Sequence, residues 1–310
     1  MKQKVAFLFS GQGAQYTGMG QQLYGRFTEC RQVFDFADEV LGRKITDLCF
    51  KANDEELLKT INTQPSVFTT DVGILAVLRK YGISPDVVAG FSLGEYAAYY
   101  AAGIFDLMTS FYLVNQRAEA MENVSANGVY GMAAIRGDNI DQVEQLCQAY
   151  DDAWVANYNT QGQVSISGNK DSINEIILKA KELGYKATAL PVNGAFHTKY
   201  MKGAAEQFKD SFSGIISHEC KIPIVLNTTG DYYDSNRDVK DIMFEQIVSP
   251  VRWQQSIETM LASGVNVFIE IGPGKALYNF TRKISAGKTV TVLRVEDMET
   301  LYDTIDTFYE

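Results

Sequence analysis

Short apolar runs alternate along the chain with longer segments in which apolar residues recur at the spacing of a helix. The runs are continuous rather than alternating, which is typical of strands buried on both faces of a parallel sheet. The candidate strands lie at residues 5–9, 86–90, 222–227, 265–272 and 289–295. Helical segments between them end on Gly82, Gly103 and Gly264, because glycine readily takes the left-handed conformation that closes a helix. The pattern therefore predicts an α/β fold in which helices cover a parallel sheet.

The pattern changes over residues 128–192. Here the predicted elements follow the order strand, helix, strand, strand, helix, strand, which is the order of a ferredoxin-like unit. The first and last strands of such a unit are neighbours, so the chain leaves and re-enters the larger part at one place. We therefore interpret residues 128–192 as a ferredoxin-like small subdomain inserted into a large α/β subdomain of residues 1–127 and 193–310. The cleft between the two is the expected position of an active site.

Composition narrows the class of protein. With 310 residues and 46% hydrophobic side chains, the chain is long enough to bury a large core. A net charge of −10 argues against nucleic acid or an anionic membrane as a partner, because either would require a dominant basic surface. No apolar run approaches the roughly 20 residues of a membrane span. Four widely spaced cysteines favour reduced thiols in a cytoplasmic protein over disulfides or a metal site: Cys30, Cys49, Cys147 and Cys220.

The stretch GFSLGEYAA, residues 90–98, places Gly90-x-Ser92-x-Gly94 between a predicted strand and a predicted helix. Such a turn is so sharp that its flanking residues must be small, and it holds the serine at a helix N-terminus. The alternative is a chance pentapeptide. Because strand and helix flank the motif in the required order, we interpret Ser92 as a candidate nucleophile.

A nucleophilic serine needs a base, and the sequence contains only two histidines. His197 lies in GAFHTKYM, where the small subdomain returns to the large one, which predicts a position in the cleft. His218 lies in a polar connection and is typical of a solvated loop residue. We therefore predict that His197 is the base. No acidic residue stands out as the third member of a triad, so an amide or a backbone carbonyl is expected to orient the histidine.

Two further residues have alternative interpretations. Gln12 lies in FSGQGAQYTGMG, which fits neither a phosphate loop nor a dinucleotide-binding motif. It could present backbone or side-chain groups beside Ser92, or the segment could be a plain glycine-rich turn. Arg117 lies on the flank of an apolar helical stripe, where an arginine either extends to solvent or holds an anion.

Taken together, the motifs resemble the malonyl-CoA:acyl carrier protein transacylase family, which includes discrete acyltransferases of fatty acid and polyketide synthesis. The segments that carry the resemblance occur in order over nearly the whole chain: GQGAQYTGMG, TQPSVFTTD, GFSLGEYAA, QRAEAM, ANYNTQGQVSISG, GAFHTKYM, SPVRW and IEIGPGKAL. The family implies an α/β-hydrolase-like large subdomain with a ferredoxin-like insertion, which agrees with the predicted order of elements.

The resemblance also implies roles for individual residues. Ser92 matches the family's nucleophile and His197 matches its base. Gln246, in FEQIVSPVRW, matches the residue whose main-chain carbonyl orients the histidine in place of an acid. Gln12 and the N–H group of Leu93 match the groups associated with the oxyanion hole.

Four residues bear on the choice of acyl group. Arg117 matches the arginine that binds the free carboxylate of a malonyl group, so neutral acyl groups should be poor substrates. Leu93 and Phe196 match the malonyl-preferring members, in which a bulky Phe196 leaves little room for an α-methyl branch. Phe91 departs from the family, which usually has histidine before the serine, and makes one side of the acyl site more apolar.

The resemblance implies a ping-pong acyl transfer, in which Ser92 takes a malonyl group from malonyl-CoA and the phosphopantetheine thiol of an acyl carrier protein then accepts it. No cofactor or metal is expected. An acyl hydrolase that edits stalled carrier-bound chains is an alternative enzyme, and a non-catalytic carrier-docking module is an alternative of another class. Because carrier proteins are usually acidic, basic residues are docking candidates: Arg79, Lys80, Lys199, Lys202, Arg282, Lys283 and Lys288.

Overall fold

The computed structural model describes residues 3–126 and 128–309. The strands in these ranges are β1 (Val5–Phe9), β2 (Val87–Gly90), β3 (Tyr130–Arg136), β4 (Ala153–Thr160), β5 (Gln163–Asn169), β6 (Lys186–Ala189), β7 (Ile224–Val225), β8 (Val267–Ile271) and β9 (Thr291–Val295). The helices are α1 (Gln21–Arg26), α2 (Thr28–Leu41), α3 (Ile45–Lys51), α4 (Asp54–Leu57), α5 (Thr60–Lys80), α6 (Gly94–Ala101), α7 (Leu107–Ser125), α8 (Ile140–Gln148), α9 (Lys170–Glu182), α10 (Lys202–Asp210), α11 (Val239–Val248), α12 (Trp253–Ala262), α13 (Ala276–Ile284) and α14 (Met298–Tyr309). Strands and helices alternate as in an α/β protein, which confirms the predicted class.

A parallel sheet with strand order β7-β2-β1-β8-β9 forms the centre of the molecule. Every residue of β1, β2 and β8 is buried, as the continuous apolar runs predicted. The same prediction is wrong for β9, which is buried only at its last residue. β9 is one of the two edge strands of this sheet, and α13 and α14 cover it incompletely. The predicted strand at residues 222–227 shortens to the two residues of β7.

Three predicted helix ends are present. Gly82, Gly103 and Gly264 follow α5, α6 and α12 closely and have φ angles of 73°, 80° and 88°. These angles lie in the left-handed region, where glycine has no Cβ to clash. The glycines therefore end the helices and turn the chain back toward the sheet, as predicted.

A second sheet is antiparallel and has the strand order β4-β5-β3-β6. Its strands and the helices α8 and α9 follow one another in the predicted order. One face of this sheet packs against both helices through a separate apolar cluster that includes Ala133, Ile135, Val164 and Ile166. Residues of the opposite face, including polar ones, line a cavity: Ala134, Arg136, Gln163 and Ser165. The sheet therefore separates a hydrophobic core from a partly polar wall.

The cavity, of about 720 Å³, lies between the two sheets. Its floor is formed where β1 and β2 end, by Ser10 and Gly11 on one side and by Phe91 and Ser92 on the other. Because carboxyl ends of parallel strands open into a crevice, this edge is where α/β proteins commonly bind ligands. Among the residues described, no helix is both long and apolar enough to cross a membrane.

Candidate active site

Ser92 lies on the sharp turn between β2 and α6. An added Cβ on Gly90 would lie 1.9 Å from the carbonyl carbon of Gly94, and one on Gly94 would lie 2.2 Å from the carbonyl oxygen of Phe9. Any side chain at either position would therefore collide with backbone. The two glycines allow the turn to close against the end of β1, and Ser92 borders the cavity.

The Ser92 hydroxyl contacts the histidine that was predicted as its base. Ser92 Oγ lies 2.7 Å from His197 Nε2, and His197 Nδ1 lies 3.0 Å from the carbonyl oxygen of Gln246 and 3.1 Å from that of Ser249. Because carbonyl oxygens only accept hydrogen bonds, we assign the proton of the neutral ring to Nδ1. His197 Nε2 is then free to accept the proton of the Ser92 hydroxyl.

Both members of this pair have unusual backbones. In the described part of the chain, Ser92 and His197 are the only non-glycine residues with positive φ, at 53° and 61°. Left-handed backbone costs such residues about 1–3 kcal/mol each, and it persists only where surrounding contacts enforce it. That the two strained residues are also hydrogen-bonded to each other marks this place as a functional site.

Burial shifts the titration of the histidine. Removal of the ring from water, with the nearby positive charge of Arg117, lowers the pKa of His197 to about 4, and the two carbonyl acceptors oppose this shift. His197 is therefore neutral at pH 7. A neutral imidazole is the form that a general base requires.

Asn227, which follows β7, holds the serine turn in place. Its Oδ1 accepts from the Ser92 N–H at 2.7 Å, and its Nδ2 donates to the Gly90 carbonyl at 2.7 Å. Its own N–H donates to Glu95 Oε2 at 2.6 Å. One side chain thus satisfies backbone groups on both sides of the turn, and so stabilises its strained geometry.

Glu95 and Gln246 extend this network beneath the turn. Gln246 Nε2 donates to the Ser92 carbonyl at 2.8 Å and to Glu95 Oε1 at 3.2 Å, while the Tyr99 hydroxyl donates to Glu95 Oε1 at 2.6 Å. Burial raises the pKa of Glu95 to about 7, although its hydrogen-bond donors and Arg117 act in the opposite direction. Gln246 therefore contacts both members of the pair, His197 through its backbone and Ser92 through its side chain.

Arg117, on α7, is a buried cation beside the nucleophile. Only 1% of its surface is exposed, so its side chain does not extend to solvent. Its Nη2 donates to Ser92 Oγ at 3.1 Å and to Gln246 Oε1 at 3.2 Å, and its guanidinium lies 5.2 Å from the centre of the Tyr96 ring. Arg117 Nε has no hydrogen-bond partner, and no ion pair joins Arg117 to a carboxylate of the described residues.

A cation without an ion pair is costly to bury, and burial lowers the pKa of Arg117, although the nearby Tyr96 and Glu95 act in the opposite direction. A bound anion would remove most of this cost, because it would supply the missing counter-charge and an acceptor for Nε. Of the two interpretations of Arg117, the structure therefore favours the one in which it holds an anion.

Two backbone N–H groups near the cavity have no acceptor among the described residues: that of Leu93, which directly follows Ser92, and that of Gln12, which lines the same cavity as Ser92. Within residues 3–126 and 128–309, nothing accepts a hydrogen bond from the N–H of Leu93 or of Gln12. The Gln12 side chain is already engaged, because its Nε2 donates to Thr60 Oγ1 and its Oε1 accepts from Gln64 Nε2, both at 3.3 Å. Gln12 can therefore offer a ligand its backbone N–H, and its side-chain amide retains a second N–H besides the one bound to Thr60.

Aromatic side chains form part of the cavity wall. Phe91 is half-buried and packs edge-to-face on Trp253 with ring centres 5.5 Å apart, and its ring centre lies 6.4 Å from that of Phe280. Phe196 also lines the cavity. His218, by contrast, is exposed on a loop whose backbone bonds to Ile104, and it does not line this cavity.

Comparison with known proteins identifies the family. Residues 6–295 match the acyl transferase domain family. The chain is 38% identical over 312 residues to the malonyl CoA-acyl carrier protein transacylase of Bacillus subtilis strain 168, and the match covers 99% of this chain and 98% of that protein. The chain belongs to the acyl transferase family. The resemblance predicted from the motifs is thereby confirmed.

Solved structures of related acyl transferases have the same fold. A malonyl CoA-acyl carrier protein transacylase from Clostridium perfringens superposes with a TM-score of 0.92 at 36% identity, covering 99% of this chain and 97% of that one. A malonyl-transacylase solved in complex with a type II PKS acyl-carrier protein gives a TM-score of 0.93 at 31% identity, covering 98% and 99% of the two chains.

The candidate site brings together predicted residues and others that sequence reasoning missed. Hydrogen bonds join four of the predicted residues into one cluster: Ser92, His197, Arg117 and Gln246. Asn227, Ser249 and Glu95 were not predicted. Two of these residues had a signal in the sequence. Asn227 is a polar residue at the end of the predicted strand at 222–227, and Glu95 is the glutamate within GFSLGEYAA. Ser249 begins the segment SPVRW, which carried part of the resemblance, but nothing in that segment indicated a role for the Ser249 carbonyl.

Acylation of Ser92 should be nearly independent of pH between about 5.5 and 8, because a His197 with a pKa of about 4 is neutral throughout this range. A histidine with its ordinary pKa of about 6.5 would instead lose roughly tenfold in rate at the acidic end. The measurement is the second-order rate constant of acylation by malonyl-CoA across this range.

The control for this pH profile is Glu95→Gln, which removes the nearby carboxyl that titrates near neutral pH and keeps an acceptor oxygen. This variant should give the same flat profile. An inflection near pH 6.5 in both proteins would contradict a histidine held neutral by burial.

Proposed function

We propose that this acyl transferase moves a malonyl group from malonyl-CoA to the phosphopantetheine thiol of an acyl carrier protein, through an ester on Ser92. The observation that carries the proposal is the buried, unpaired guanidinium of Arg117, which donates to Ser92 Oγ. An acyl group that carries a free carboxylate would supply the missing anion at the position where its thioester reaches the nucleophile. The names of the relatives support the same substrate and partner.

In the first half-reaction, His197 Nε2 takes the proton of the Ser92 hydroxyl while Oγ attacks the thioester carbon. The carbonyl oxygen becomes an oxyanion, which accepts hydrogen bonds from the free N–H groups of Leu93 and Gln12. Because both donors are fixed before the reaction, they stabilise the developing charge without reorganisation. The C–S bond then breaks, and the sulfur receives the proton from His197. CoA departs, and a malonyl ester remains on Ser92.

In the second half-reaction, the thiol of the carrier gives its proton to His197 Nε2 and attacks the ester carbon. The same donors hold the oxyanion, the C–Oγ bond breaks, and His197 returns the proton to Ser92. A backbone carbonyl, rather than a carboxylate, orients His197. This suits thioester chemistry, because a thiolate is a good leaving group and needs less help from the general acid than an amine does. The proposed reaction uses no metal and no cofactor beyond the groups on its substrates.

Arg117 also separates this function from that of an editing hydrolase. Hydrolysis of stalled neutral acyl chains gives no reason to bury a cation beside the nucleophile. Transfer of a carboxylated unit does give such a reason. A site built around a polar partner rejects analogues that lack that partner, by roughly 10⁴–10⁵ in favourable cases. Phe196 lines the same cavity, and we propose that it limits the site to malonyl rather than branched units.

We propose that the carrier docks through basic residues at the mouth of the cavity. Two of the predicted candidates are engaged elsewhere, since Lys80 pairs with Glu29 and Lys202 with Glu206. Arg282 and Lys288 line a shallow pocket beside the end of α13 and remain candidates. Electrostatic docking of this kind would act mainly on the association rate.

We also propose that residues 1–127 and 193–310 form an α/β-hydrolase-like subdomain and that residues 128–192 form a ferredoxin-like insertion. The order of strands β3 to β6 supports the second assignment. Residues 1, 2, 127 and 310 of these ranges lie outside the described residues. A cytoplasmic location would fit enzymes that draw on free malonyl-CoA.

Replacing Arg117 with alanine should remove the preference for malonyl-CoA over acetyl-CoA. Both substrates lose the hydrogen bond from Arg117 to Ser92 Oγ, so the ratio of their acylation rates isolates the contact with the carboxylate. We expect malonyl acylation to fall about 10²-fold more than acetyl acylation, as for loss of a charged hydrogen bond in a buried site.

Arg117→Lys is the matched control, because lysine keeps the positive charge but lacks the planar set of N–H donors of the guanidinium. It should give an intermediate ratio. A malonyl-to-acetyl ratio that stays unchanged in Arg117→Ala would refute the assignment of Arg117 to the carboxylate.

Replacing Phe91 with histidine should change the preference among acyl groups more than it changes acylation by malonyl-CoA. Phe91 lines the cavity and packs on Trp253, so histidine would bring a polar edge to a wall that is now aromatic. Acylation rates over a panel of acyl-CoA thioesters measure the effect. Equal, small changes for every thioester would show that Phe91 only packs against the core.

A further inference from the structure

The segment that carries His197 continues into a contact with the antiparallel sheet. After one intervening residue, the chain forms a short 3₁₀ helix, Lys199–Met201. The ring of Tyr200 packs edge-to-face on Trp154 of β4 with ring centres 5.1 Å apart, and its centre lies 5.3 Å from that of Tyr130 of β3. Because only two residues separate His197 from Tyr200, a ring held on the sheet limits where His197 can lie.

The three rings meet on the face of the antiparallel sheet that borders the cavity. Tyr130 lies two residues before Met132 on β3, so the two side chains share a face, and Met132 lines the cavity. Trp154 and Met132 both pair with Ser167 of β5, which places Trp154 on that face as well. The cluster of Tyr130, Trp154 and Tyr200 therefore joins the cavity face of the sheet to the segment that follows His197.

Local hydrogen bonds link the position of Tyr200 to that of His197. Thr198 Oγ1 donates to the Ala195 carbonyl at 2.7 Å and accepts from the Tyr200 N–H at 3.3 Å. The Met201 N–H donates to the Thr198 carbonyl at 3.0 Å, and the Met201 side chain is fully buried in the main hydrophobic core. Thr198 therefore bonds to the chain on both sides of His197, and a shift of Tyr200 would displace the histidine.

The same strand, β4, also holds a group that orients the histidine ring. Val251 lies two residues after Ser249, whose carbonyl accepts from His197 Nδ1. The Val251 N–H donates to the Ala156 carbonyl, and the Val251 carbonyl accepts from the Tyr158 N–H, both at 2.8 Å. β4 therefore fixes both the segment that carries the histidine and the segment that carries one of its acceptors.

We propose that Tyr200 and Trp154 are positioning residues for the acylation of Ser92, because their contact holds His197 between the Ser92 hydroxyl and the carbonyl acceptors of the ring. A general base works only when its supporting contacts hold it within a fraction of an ångström of the productive geometry. The left-handed backbone of His197 persists only where such contacts enforce it. The inference rests on the proposed function in that malonyl-CoA is the acyl donor of its test.

The first test removes the ring of Tyr200. Tyr200→Ala should lower the limiting rate of Ser92 acylation by malonyl-CoA about tenfold per reactive serine, as for a small misplacement of a reacting group. The malonyl-CoA concentration at half-saturation should be unchanged, because Tyr200 does not line the cavity. Tyr200→Phe keeps the ring and should keep the rate. Tyr150→Ala is the matched control, because Tyr150 is also half-buried but packs on the helix-covered side of the sheet, and it should change neither value.

The pH profile separates positioning from a general loss of stability. A ring that is no longer held against its acceptors becomes more hydrated, so the pKa of His197 should rise from about 4 toward its ordinary value. Tyr200→Ala should then lose rate toward acidic pH with an inflection at about pH 6, whereas the unmodified protein stays flat. Arg117 on α7 acts on the His197 ring, and Glu95 on α6 contacts Gln246 rather than the ring. Both are present in the two proteins and do not account for a difference.

Trp154→Ala removes the same contact from the side of β4 and provides a second, independent variant. Since each substitution breaks one shared contact, the double variant should be no slower than the slower single variant. Losses that multiply would show that the two rings act separately and would contradict the inference. A rate per reactive serine that is unchanged in both single variants, or a pH profile that stays flat in both, would overturn it.

A serine-directed fluorophosphonate counts the reactive serines at its end point and also reports on His197 without malonyl-CoA. Its rate of reaction with Ser92 should show the same loss and the same inflection in Tyr200→Ala. Failure of the proposed function would look different, because the unmodified protein would then react with the fluorophosphonate but not with malonyl-CoA. The fluorophosphonate rates would still decide whether Tyr200 and Trp154 position His197.

Discussion

The site depends on a hydrogen bond between two residues whose backbones are both strained. Ser92 and His197 meet at 2.7 Å, and each has its backbone in the left-handed region. The strain at Ser92 is offset by Asn227, which binds the turn on both sides, and by glycines that let the turn approach β1. The carbonyl groups of Gln246 and Ser249 fix the histidine ring. These buried polar contacts together hold Ser92 and His197 in this arrangement.

One buried cation, Arg117, acts on His197, Glu95 and Ser92. Arg117 lowers the pKa of His197, opposes the rise in the pKa of Glu95, and donates to the nucleophile itself. At a buried position such a charge acts more strongly than at a surface, because there is less solvent to screen it. Burial and this charge together keep the base neutral, and in the proposed function the same charge pairs with an anion of the substrate.

Much of the fold and the centre of the site could be predicted from the sequence, because both rest on local patterns. Continuous apolar runs predicted the buried strands, and the glycines around Ser92 predicted its turn. The exposure of β9 could not be predicted, since an apolar run does not show that it will lie at a sheet edge. Asn227 lies 135 residues from Ser92 along the chain, and such distant contacts leave no periodic signal. Helical spacing also could not decide between the two interpretations of Arg117, because spacing does not show how deeply a residue on the flank of an apolar stripe is buried.

In the proposed function, Ser92 carries the malonyl group as an ester that water does not readily remove. Intact-protein mass spectrometry after mixing with malonyl-CoA detects this ester, with Ser92→Ala as the blank. We expect a mass increase of one malonyl group, mapped to the peptide that contains Ser92, which persists in buffer and is lost when a holo acyl carrier protein is added. Absence of the adduct, or an adduct that disappears equally fast without the carrier, would contradict it.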